Sequence, residues 1–386
     1  MAGAFERAAA AVRPLDAAAM AEARARQDRL TKPRGALGRL ESLSVQLAGI
    51  AGVCPPPRPA PAAVAVFAAD HGVVAEGVTP WPQDVTAQMV ANFVSGGAAI
   101  NVLARAAGAA VTVIDVGVAV PLPPGCDGAP GLVRRPLGPG TANLAAGPAM
   151  DAVTCSAALD VGAMVAADLV AGRPGARALV TGEMGIGNTT PAAALVAAFT
   201  GRPAAEVTGR GTGVDDAGLA RKTAVVERAV ARHAAAVAAG PRETLAALGG
   251  FEIAALAGFI VGGAAAGVPV LVDGLIADAA LLAAERLVPG VAARCIAGHR
   301  SVEPGAAAAL EVLGLEPVLD LGLRLGEGSG ACLALPVVDA AVLVLAEMAT
   351  FDAAGVTDKM NGPSGDTTDG PGPSGLSGET GTGERP

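Results

Sequence analysis

A glycine-rich segment, TGEMGIGNTT at residues 181–190, has the composition of a phosphate-binding turn. It follows a short apolar run at residues 178–180 and precedes an alanine-rich run at 191–199 that is predicted to be a helix. Glycines between a strand and a helix let backbone N–H groups approach a phosphate, and the helix N-terminus adds partial positive charge. The segment is neither a Walker loop nor a GxGxxG dinucleotide motif. It predicts a phosphorylated ligand of another class, with a purely structural turn as the equal alternative.

A second segment, LRLGEGSG at residues 323–330, places one carboxylate between glycines at the predicted start of an apolar helix. A helix N-terminus keeps Glu327 ionised, while apolar neighbours would increase its basicity. Ser329 alone would serve as a helix cap, so the carboxylate invites a second explanation. From this context, a catalytic role and a structural role for Glu327 are equally open.

Two further features suggest ligand contacts. The segment GRGTG at residues 209–213 opens a long predicted helix, 215–239, and Lys222 lies about two turns along it. In a chain with only three lysines, Lys222 is either a point-charge contact to phosphate or a surface residue. Trp81, the single tryptophan, follows the first predicted strand and either stacks on a flat ligand or seals a loop. Met89 fits a core or pocket-wall position better than a polar contact.

Strand-like and helix-like runs alternate from residue 63 onward, which predicts an α/β fold with a mostly parallel sheet and helices on both faces. Polar residues follow most of these strands, among them Asp70, His71 and Glu183. The ligand crevice of such sheets lies beyond the carboxyl ends of the strands, so these side chains are expected at one edge. The predicted strands span residues 63–68, 110–116, 178–181, 268–272, 293–297 and 317–321.

The chain divides by composition into three parts. Residues 1–60 are predicted to form helices that contribute to a small helical domain, and residues 61–351 an α/β catalytic domain whose C-terminal helices return to it. Residues 352–386 are rich in Gly, Pro, Ser, Thr and acids, with almost nothing to bury. This composition predicts a disordered acidic tail.

The bulk composition excludes several function classes. A net charge of −9 without a basic stripe argues against nucleic acid. The five cysteines are odd in number and lack CxxC spacing, which predicts a reduced, cytoplasmic protein without a zinc site. Residues 253–272 are uncharged over 20 residues, but their many Ala and Gly residues favour a buried helix and strand over a membrane span. The N-terminus has no signal-peptide layout, so a soluble protein is expected.

Taken together, these segments resemble the nicotinate-nucleotide–dimethylbenzimidazole phosphoribosyltransferases, which build the lower-ligand nucleotide of cobalamin. The resemblance runs over roughly residues 28–350 and does not reach the tail. It implies a doubly wound, Rossmann-like sheet beside a small helical domain, a homodimer, and no cofactor or metal. The motifs that carry it are LTKP at 30–33, GRLE at 38–41, ADHGV at 69–73, GEMGIGNTT at 182–190, GRGTG at 209–213, DG at 273–274, GHRS at 298–301 and RLGEGSG at 324–330.

The resemblance also implies roles for individual residues. The glutamate of the RLGEG motif is the general base of the family, which here is Glu327. The residues with an implied nucleotide or phosphate contact are Gly182, Glu183, Met184, Gly185, Ile186, Gly187, Asn188, Thr189, Gly211 and Lys222. Those with an implied place in the base pocket are Asp70, His71, Trp81, Gln88, Met89 and Leu325.

The implied reaction transfers the phosphoribosyl group of nicotinate mononucleotide to 5,6-dimethylbenzimidazole with inversion at the anomeric carbon. Two alternatives stay open on the residues alone. One is a nucleotide N-glycosidase that uses Glu183 and Glu327 as a carboxylate pair with water as acceptor. The other is a non-catalytic module that binds a nucleotide through its glycine loops.

Overall fold

The computed structural model describes residues 2–357, and a six-stranded parallel sheet forms its centre. The strand order is β3-β2-β1-β4-β5-β6, and the direction in which strands are added reverses between β1 and β4. This is the order of a doubly wound Rossmann-type sheet, so the predicted fold class is confirmed. The strands are β1 (Ala62–Ala69), β2 (Ala109–Gly117), β3 (Leu132–Arg134), β4 (Ala178–Met184), β5 (Val270–Val272) and β6 (Cys295–Ala297).

Helices cover both faces of the sheet and form the N- and C-terminal parts of the described chain. They are α1 (Ala4–Ala11), α2 (Ala17–Arg29), α3 (Arg39–Ala51), α4 (Asp84–Val94), α5 (Ala99–Ala107), α6 (Ala152–Ala171), α7 (Thr189–Thr200), α8 (Ala204–Val207), α9 (Asp216–Arg232), α10 (Ala234–Ala239), α11 (Pro241–Leu248), α12 (Phe251–Ala265), α13 (Leu275–Leu287), α14 (Pro304–Leu313), α15 (Ser329–Glu347) and α16 (Phe351–Ala354).

The central strand β1 is buried on both faces, which explains its uniformly apolar sequence, AAVAVFAA. Alternate residues divide between two cores. Phe67 faces the core that contains Leu159 and Phe259, and its ring lies edge-on to that of Phe259 with 5.5 Å between centroids. Val64 and Val66 face the second core, on the other side of the sheet. Small residues in β1 thus let helices approach the sheet closely from both sides.

Helices α6 and α12 cross in close contact because glycines face the crossing. A Cβ added at Gly162 would lie 1.7 Å from the backbone oxygen of Ala255, and one added at Gly258 would lie 2.0 Å from that of Leu159. A backbone atom cannot rotate away as a side chain can. A side chain at either position therefore forces the two helices apart.

We expect Gly162→Ala to lower the free energy of unfolding by about 2 kcal/mol or more, since overpacking of a tight core typically costs 1–3 kcal/mol. Denaturant unfolding followed by circular dichroism would measure the change. Gly147→Ala is the matched control, because a Cβ there meets nothing within 4 Å. Equal unfolding midpoints for the two variants would show that the crossing has room for a methyl group.

The helices at the two ends of the chain pack together as a small unit. Ala19, Ala23, Val45, Ala48 and Leu345, from α2, α3 and α15, form a separate buried cluster. Helix α1 instead packs against α6 and α12, where the backbone N–H of Phe5 donates to Asp160 Oδ1 at 2.7 Å. The N-terminal helices therefore divide between the two parts of the molecule. Of the predicted tail, residues 352–357 are described, and the rest lies outside the described residues.

Some predicted elements differ from the observed ones. The predicted strand at 317–321 is wrong: Leu319 forms only an isolated parallel bridge with His299, and Pro317 has no N–H to donate. The short strand β3 was not predicted. The sequence of residues 85–106 predicts a single helix, but the structure has two, α4 and α5, separated where Gly96 adopts a φ of 78°. The predicted helix 215–239 is divided at His233.

Several apolar segments have the length of a membrane span. Residues 253–272 form helix α12 and strand β5, both buried, as predicted. Within residues 2–357, three helical stretches are long and apolar enough to cross a membrane by length and composition. All three contribute buried residues to the two cores that flank the sheet. They are Asp84–Ala107, Ala152–Ala171 and Ser329–Glu347.

Candidate active site

A cavity of about 380 Å³ opens beyond the carboxyl ends of the central strands, at the point where the strand order reverses. This is where doubly wound sheets bind ligands, and the volume suits a small molecule. The wall is formed by the segments that follow β4, β5 and β6, by helix α4, and by loops 210–214 and 324–327.

The predicted strand–glycine–helix turn forms one side of this cavity. Strand β4 ends at Met184 and helix α7 begins at Thr189, with the cavity in contact with every residue from Glu183 to Thr189. A Cβ at Gly185 would lie 2.4 Å from the backbone oxygen of Ala69, and Gly187 adopts a φ of 87°. Gly182 lies behind the wall, where a Cβ would meet the backbone oxygen of Glu327 at 2.6 Å. The glycines are therefore required by the close packing of the turn.

Lys222 reaches this turn from helix α9 and is almost fully buried. Its Nζ donates to Thr189 Oγ1 at 2.7 Å and to the backbone oxygen of Gly209 at 2.9 Å. Burial lowers the pKa of Lys222 to about 8, against a smaller opposing effect of Glu303. The side chain thus places a cation beside the N-terminus of α7, both of which attract an anion.

Glu327 lies in the cavity wall with a strained backbone. Among residues 2–357 it is the one non-glycine residue with a positive φ, 64°, and it stands between Gly326 and Gly328, which are also left-handed. This conformation costs a side-chain-bearing residue about 1–2 kcal/mol. Such strain concentrates at functional sites, so the outlier supports a functional role for the carboxylate.

The surroundings of Glu327 make its carboxylate a stronger base. It is 6 % exposed, and its Oε2 accepts the backbone N–H of Ile100 at 3.2 Å. Desolvation by burial raises the pKa of Glu327, the Ile100 N–H lowers it, and the charge of Asp273 raises it further. A raised pKa with retained access to the cavity is the property required of a general base near neutral pH.

Glu183 lies next to Glu327 in the same wall of the cavity, and its carboxyl group is also buried. Burial raises the pKa of Glu183 to about 8, although a hydrogen bond from Asn188 Nδ2 opposes the shift. At neutral pH this carboxyl is therefore mostly protonated. Of the two glutamates, Glu327 is the better candidate for an ionised base.

Asp273 supports the segment that carries Glu327. Its Oδ1 accepts the backbone N–H groups of Gly330 at 2.8 Å and of Ala331 at 3.0 Å, at the start of helix α15. His299 Nε2 lies 3.6 Å from the same oxygen. Both side chains are buried and also line the cavity. They fix the first turn of α15, directly after the strained glutamate.

The other side of the cavity is apolar. Val78, Trp81, Val85 and Met89 line it, together with Leu325 from the opposite loop. Trp81 is 48 % exposed and Leu325 55 % exposed, which places both at the mouth. These side chains give this side of the cavity an apolar surface.

Three of the predicted base-pocket residues do not line the cavity. Asp70 and His71 are fully buried beneath it, where His71 Nε2 lies 2.8 Å from Glu252 Oε1. Gln88 is exposed on helix α4 and does not contact the cavity. The sequence pattern brings these residues to the correct edge of the sheet, but neighbouring residues of an element face different ways.

Glu303 and Arg324 are among the cavity residues that the sequence did not single out as ligand contacts. Glu303 Oε1 accepts the backbone N–H of Gly211 at 2.8 Å, and Arg324 Nη1 donates to the backbone oxygen of the same glycine at 2.9 Å. Both side chains line the cavity and hold Gly211 in place. The sequence could have indicated both residues, because Arg324 lies within the RLGEG motif and Glu303 follows shortly after a strand.

Comparison with known proteins places the chain in a family. A family model described as phosphoribosyltransferase matches residues 12–356. The nicotinate-nucleotide–dimethylbenzimidazole phosphoribosyltransferase of Salinispora tropica is 58 % identical over 365 residues, covering 92 % of this chain and 100 % of the relative. The enzyme of the same name from Chloroflexus aurantiacus is 55 % identical over 347 residues, covering 90 % of this chain and 97 % of the relative.

Solved structures agree with these sequence relatives. The crystal structure of CobT from Thermus thermophilus is similar with a TM-score of 0.83 and 50 % sequence identity, covering 88 % of this chain and 99 % of that one. The similarity thus extends over most of the chain. The chain belongs to the nicotinate-nucleotide–dimethylbenzimidazole phosphoribosyltransferase family.

Proposed function

We propose that the chain transfers the 5-phosphoribosyl group of nicotinate mononucleotide to 5,6-dimethylbenzimidazole, giving α-ribazole 5′-phosphate and nicotinate for assembly of the cobalamin nucleotide loop. The observation that carries the proposal is the strained, buried Glu327 in the wall of one cavity whose opposite ends suit a phosphate and a flat apolar base. The names of the relatives support the same reaction.

The phosphate end positions the sugar. The turn from Glu183 to Thr189, the N-terminus of α7 and Lys222 would bind the 5′-phosphate. Fixing the ribose in this way presents its anomeric carbon to the apolar side of the cavity. A protonated Glu183 adds no second negative charge beside the nucleotide.

The chemical step then needs one proton acceptor. A lone pair on one benzimidazole nitrogen attacks the anomeric carbon, while the bond to nicotinate breaks and its electrons return to the pyridinium ring. The other benzimidazole nitrogen becomes acidic and gives its proton to Glu327. Because the pyridinium leaves as a neutral ring, no strong acid is required, and attack from the opposite face converts the β-nucleotide into an α-ribotide.

The test is a mass-spectrometric assay of the purified protein with nicotinate mononucleotide, with and without 5,6-dimethylbenzimidazole. We expect α-ribazole 5′-phosphate and nicotinate only when the base is present. Nicotinate without a new ribotide would identify an N-glycosidase instead. Binding without turnover would identify a nucleotide-binding module.

The assembly and location of the chain are part of the same proposal. We infer a cytoplasmic homodimer with these two small molecules as substrates. A second copy would cover exposed apolar side chains such as Val302 and Leu321.

A further inference from the structure

One buried hydroxyl joins the two sides of the cavity. Thr86 lies on helix α4 and is fully buried. Its Oγ1 donates to Asp70 Oδ1 at 2.7 Å and accepts the backbone N–H of Ile186 at 3.2 Å. The residue therefore connects helix α4 with the middle of the glycine turn.

Asp70 fixes the direction of this hydroxyl. The Ile186 N–H can only donate and therefore occupies a lone pair of the Thr86 oxygen, which leaves the hydroxyl proton for Asp70 Oδ1. Asp70 is itself held at the end of β1, since its Oδ2 accepts the N–H of Ala119 at 2.8 Å and its backbone oxygen accepts that of Thr141 at 2.9 Å. The hydroxyl thus has a rigid support in the sheet.

The two elements that Thr86 joins serve different ligands. Helix α4 supplies Val85 and Met89 to the apolar side of the cavity, next to Thr86 in sequence and one turn beyond it. Ile186 lies between Gly185 and Gly187, in the turn on the phosphate side. A shift of either element changes the geometry of the hydrogen bond between the Ile186 N–H and Thr86 Oγ1.

We propose that Thr86 is a positioning residue that couples the two substrate subsites, so that a base against α4 tightens nucleotide binding at the glycine turn. This inference rests on the proposed function for the identity of the two ligands. By linkage, the nucleotide tightens binding of the base by the same factor.

The test measures binding without turnover. The affinity for nicotinate mononucleotide is determined by calorimetry with and without saturating 5,6-dimethylindole, which has the shape of the base but carries carbon in place of the attacking nitrogen. We expect the wild-type Kd to tighten about fivefold or more when the indole is bound, within the usual range of coupling between sites. Thr86→Val keeps the shape of the side chain but removes the hydroxyl. In this variant we expect the indole to change the Kd for nicotinate mononucleotide less than about twofold. We also expect its kcat to be about tenfold lower than that of the wild type.

Two further variants separate positioning from folding. Thr86→Ser retains the hydroxyl and should restore the coupling. Thr244→Val removes an equally buried hydroxyl, which donates to the backbone oxygen of Gly240 at 2.7 Å, and should behave as wild type. If Thr86→Val proves too unstable to measure, Thr86→Ala takes its place in the same comparison.

The outcomes distinguish this inference from the proposed function. Wild-type coupling that persists in Thr86→Val or Thr86→Ala would overturn the inference, as would nucleotide binding in the wild type that the indole does not change. Neither result would contradict the proposed function, which the formation of α-ribazole 5′-phosphate tests separately. A wild type that does not bind nicotinate mononucleotide would overturn both proposals.

Discussion

Replacing Glu327 with glutamine is expected to lower kcat about a thousandfold, within the 10²–10⁴ range of general-base contributions, while the Kd for nicotinate mononucleotide changes less than about threefold. Glutamine keeps the size of the side chain but cannot take the proton that the attacking base must lose. The proposed phosphate contacts are Lys222 and the start of α7, whereas the Glu327 carboxylate is hydrogen-bonded to Ile100. Single-turnover kinetics together with nucleotide binding would measure the two effects separately.

Glu183→Gln is the matched comparison for this experiment. Burial raises the pKa of Glu183 to about 8, so the wild-type carboxyl is already mostly neutral near pH 7, and a neutral amide replaces it with little electrostatic change. We expect less than about a tenfold decrease in kcat, since only hydrogen bonding is altered. A near-normal rate for Glu327→Gln, or a greater loss for Glu183→Gln, would move the role of base away from Glu327.

The pH profile offers an independent check on the base. Because burial raises the pKa of Glu327, kcat should fall as pH drops through that raised pKa, where the carboxylate becomes protonated and can no longer accept a proton. This acidic limb should be absent in Glu327→Gln. Initial rates from pH 4 to 8 would show it. An unchanged acidic limb in the variant would assign the titration to another group.

Local sequence was sufficient to predict the elements that build the cavity. Strand β4, the glycine turn and helix α7 were predicted from an apolar run, glycines and an alanine-rich run. The alternation of strands and helices predicted which edge of the sheet carries Asp70, Glu183 and Asp273. These features depend on contacts between residues that are near in sequence or on the general geometry of parallel sheets.

The orientation of individual side chains could not be predicted in the same way. His71 follows β1 directly, as a ligand contact would, yet it turns inward to a carboxylate 181 residues away, Glu252. Glu303 and Thr86 acquire their roles through Gly211 and Ile186, which are 92 and 100 residues distant. Such pairings are set by the tertiary fold. The exception is Glu327, which its position between two glycines already singled out in the sequence.

Replacing Lys222 with methionine is expected to raise the Kd for nicotinate mononucleotide about a hundredfold, because a charge-assisted contact to phosphate contributes roughly 1.5–3 kcal/mol. Methionine is similar in length and apolar, so the buried site keeps its packing. The loss should appear in nucleotide binding, with a smaller effect on kcat. Calorimetric titration of each variant with the nucleotide would measure it.

The same side chain predicts a pH dependence with a definite sign. Burial lowers the pKa of Lys222 to about 8, so the ammonium group is charged below that pH and increasingly neutral above it. Wild-type Kd for the nucleotide should therefore rise about tenfold per pH unit above pH 8, as expected when binding requires one proton. In Lys222→Met this slope should disappear.

A second buried lysine supplies the control for both effects. Lys32 is 7 % exposed and forms a 2.7 Å salt bridge with Glu41, away from the cavity. Lys32→Met removes the same charge but should leave nucleotide affinity and its pH dependence unchanged. If the two variants bind the nucleotide equally well, the phosphate contact belongs to another cation in the wall, with Arg210 and Arg324 as the alternatives that line the same cavity.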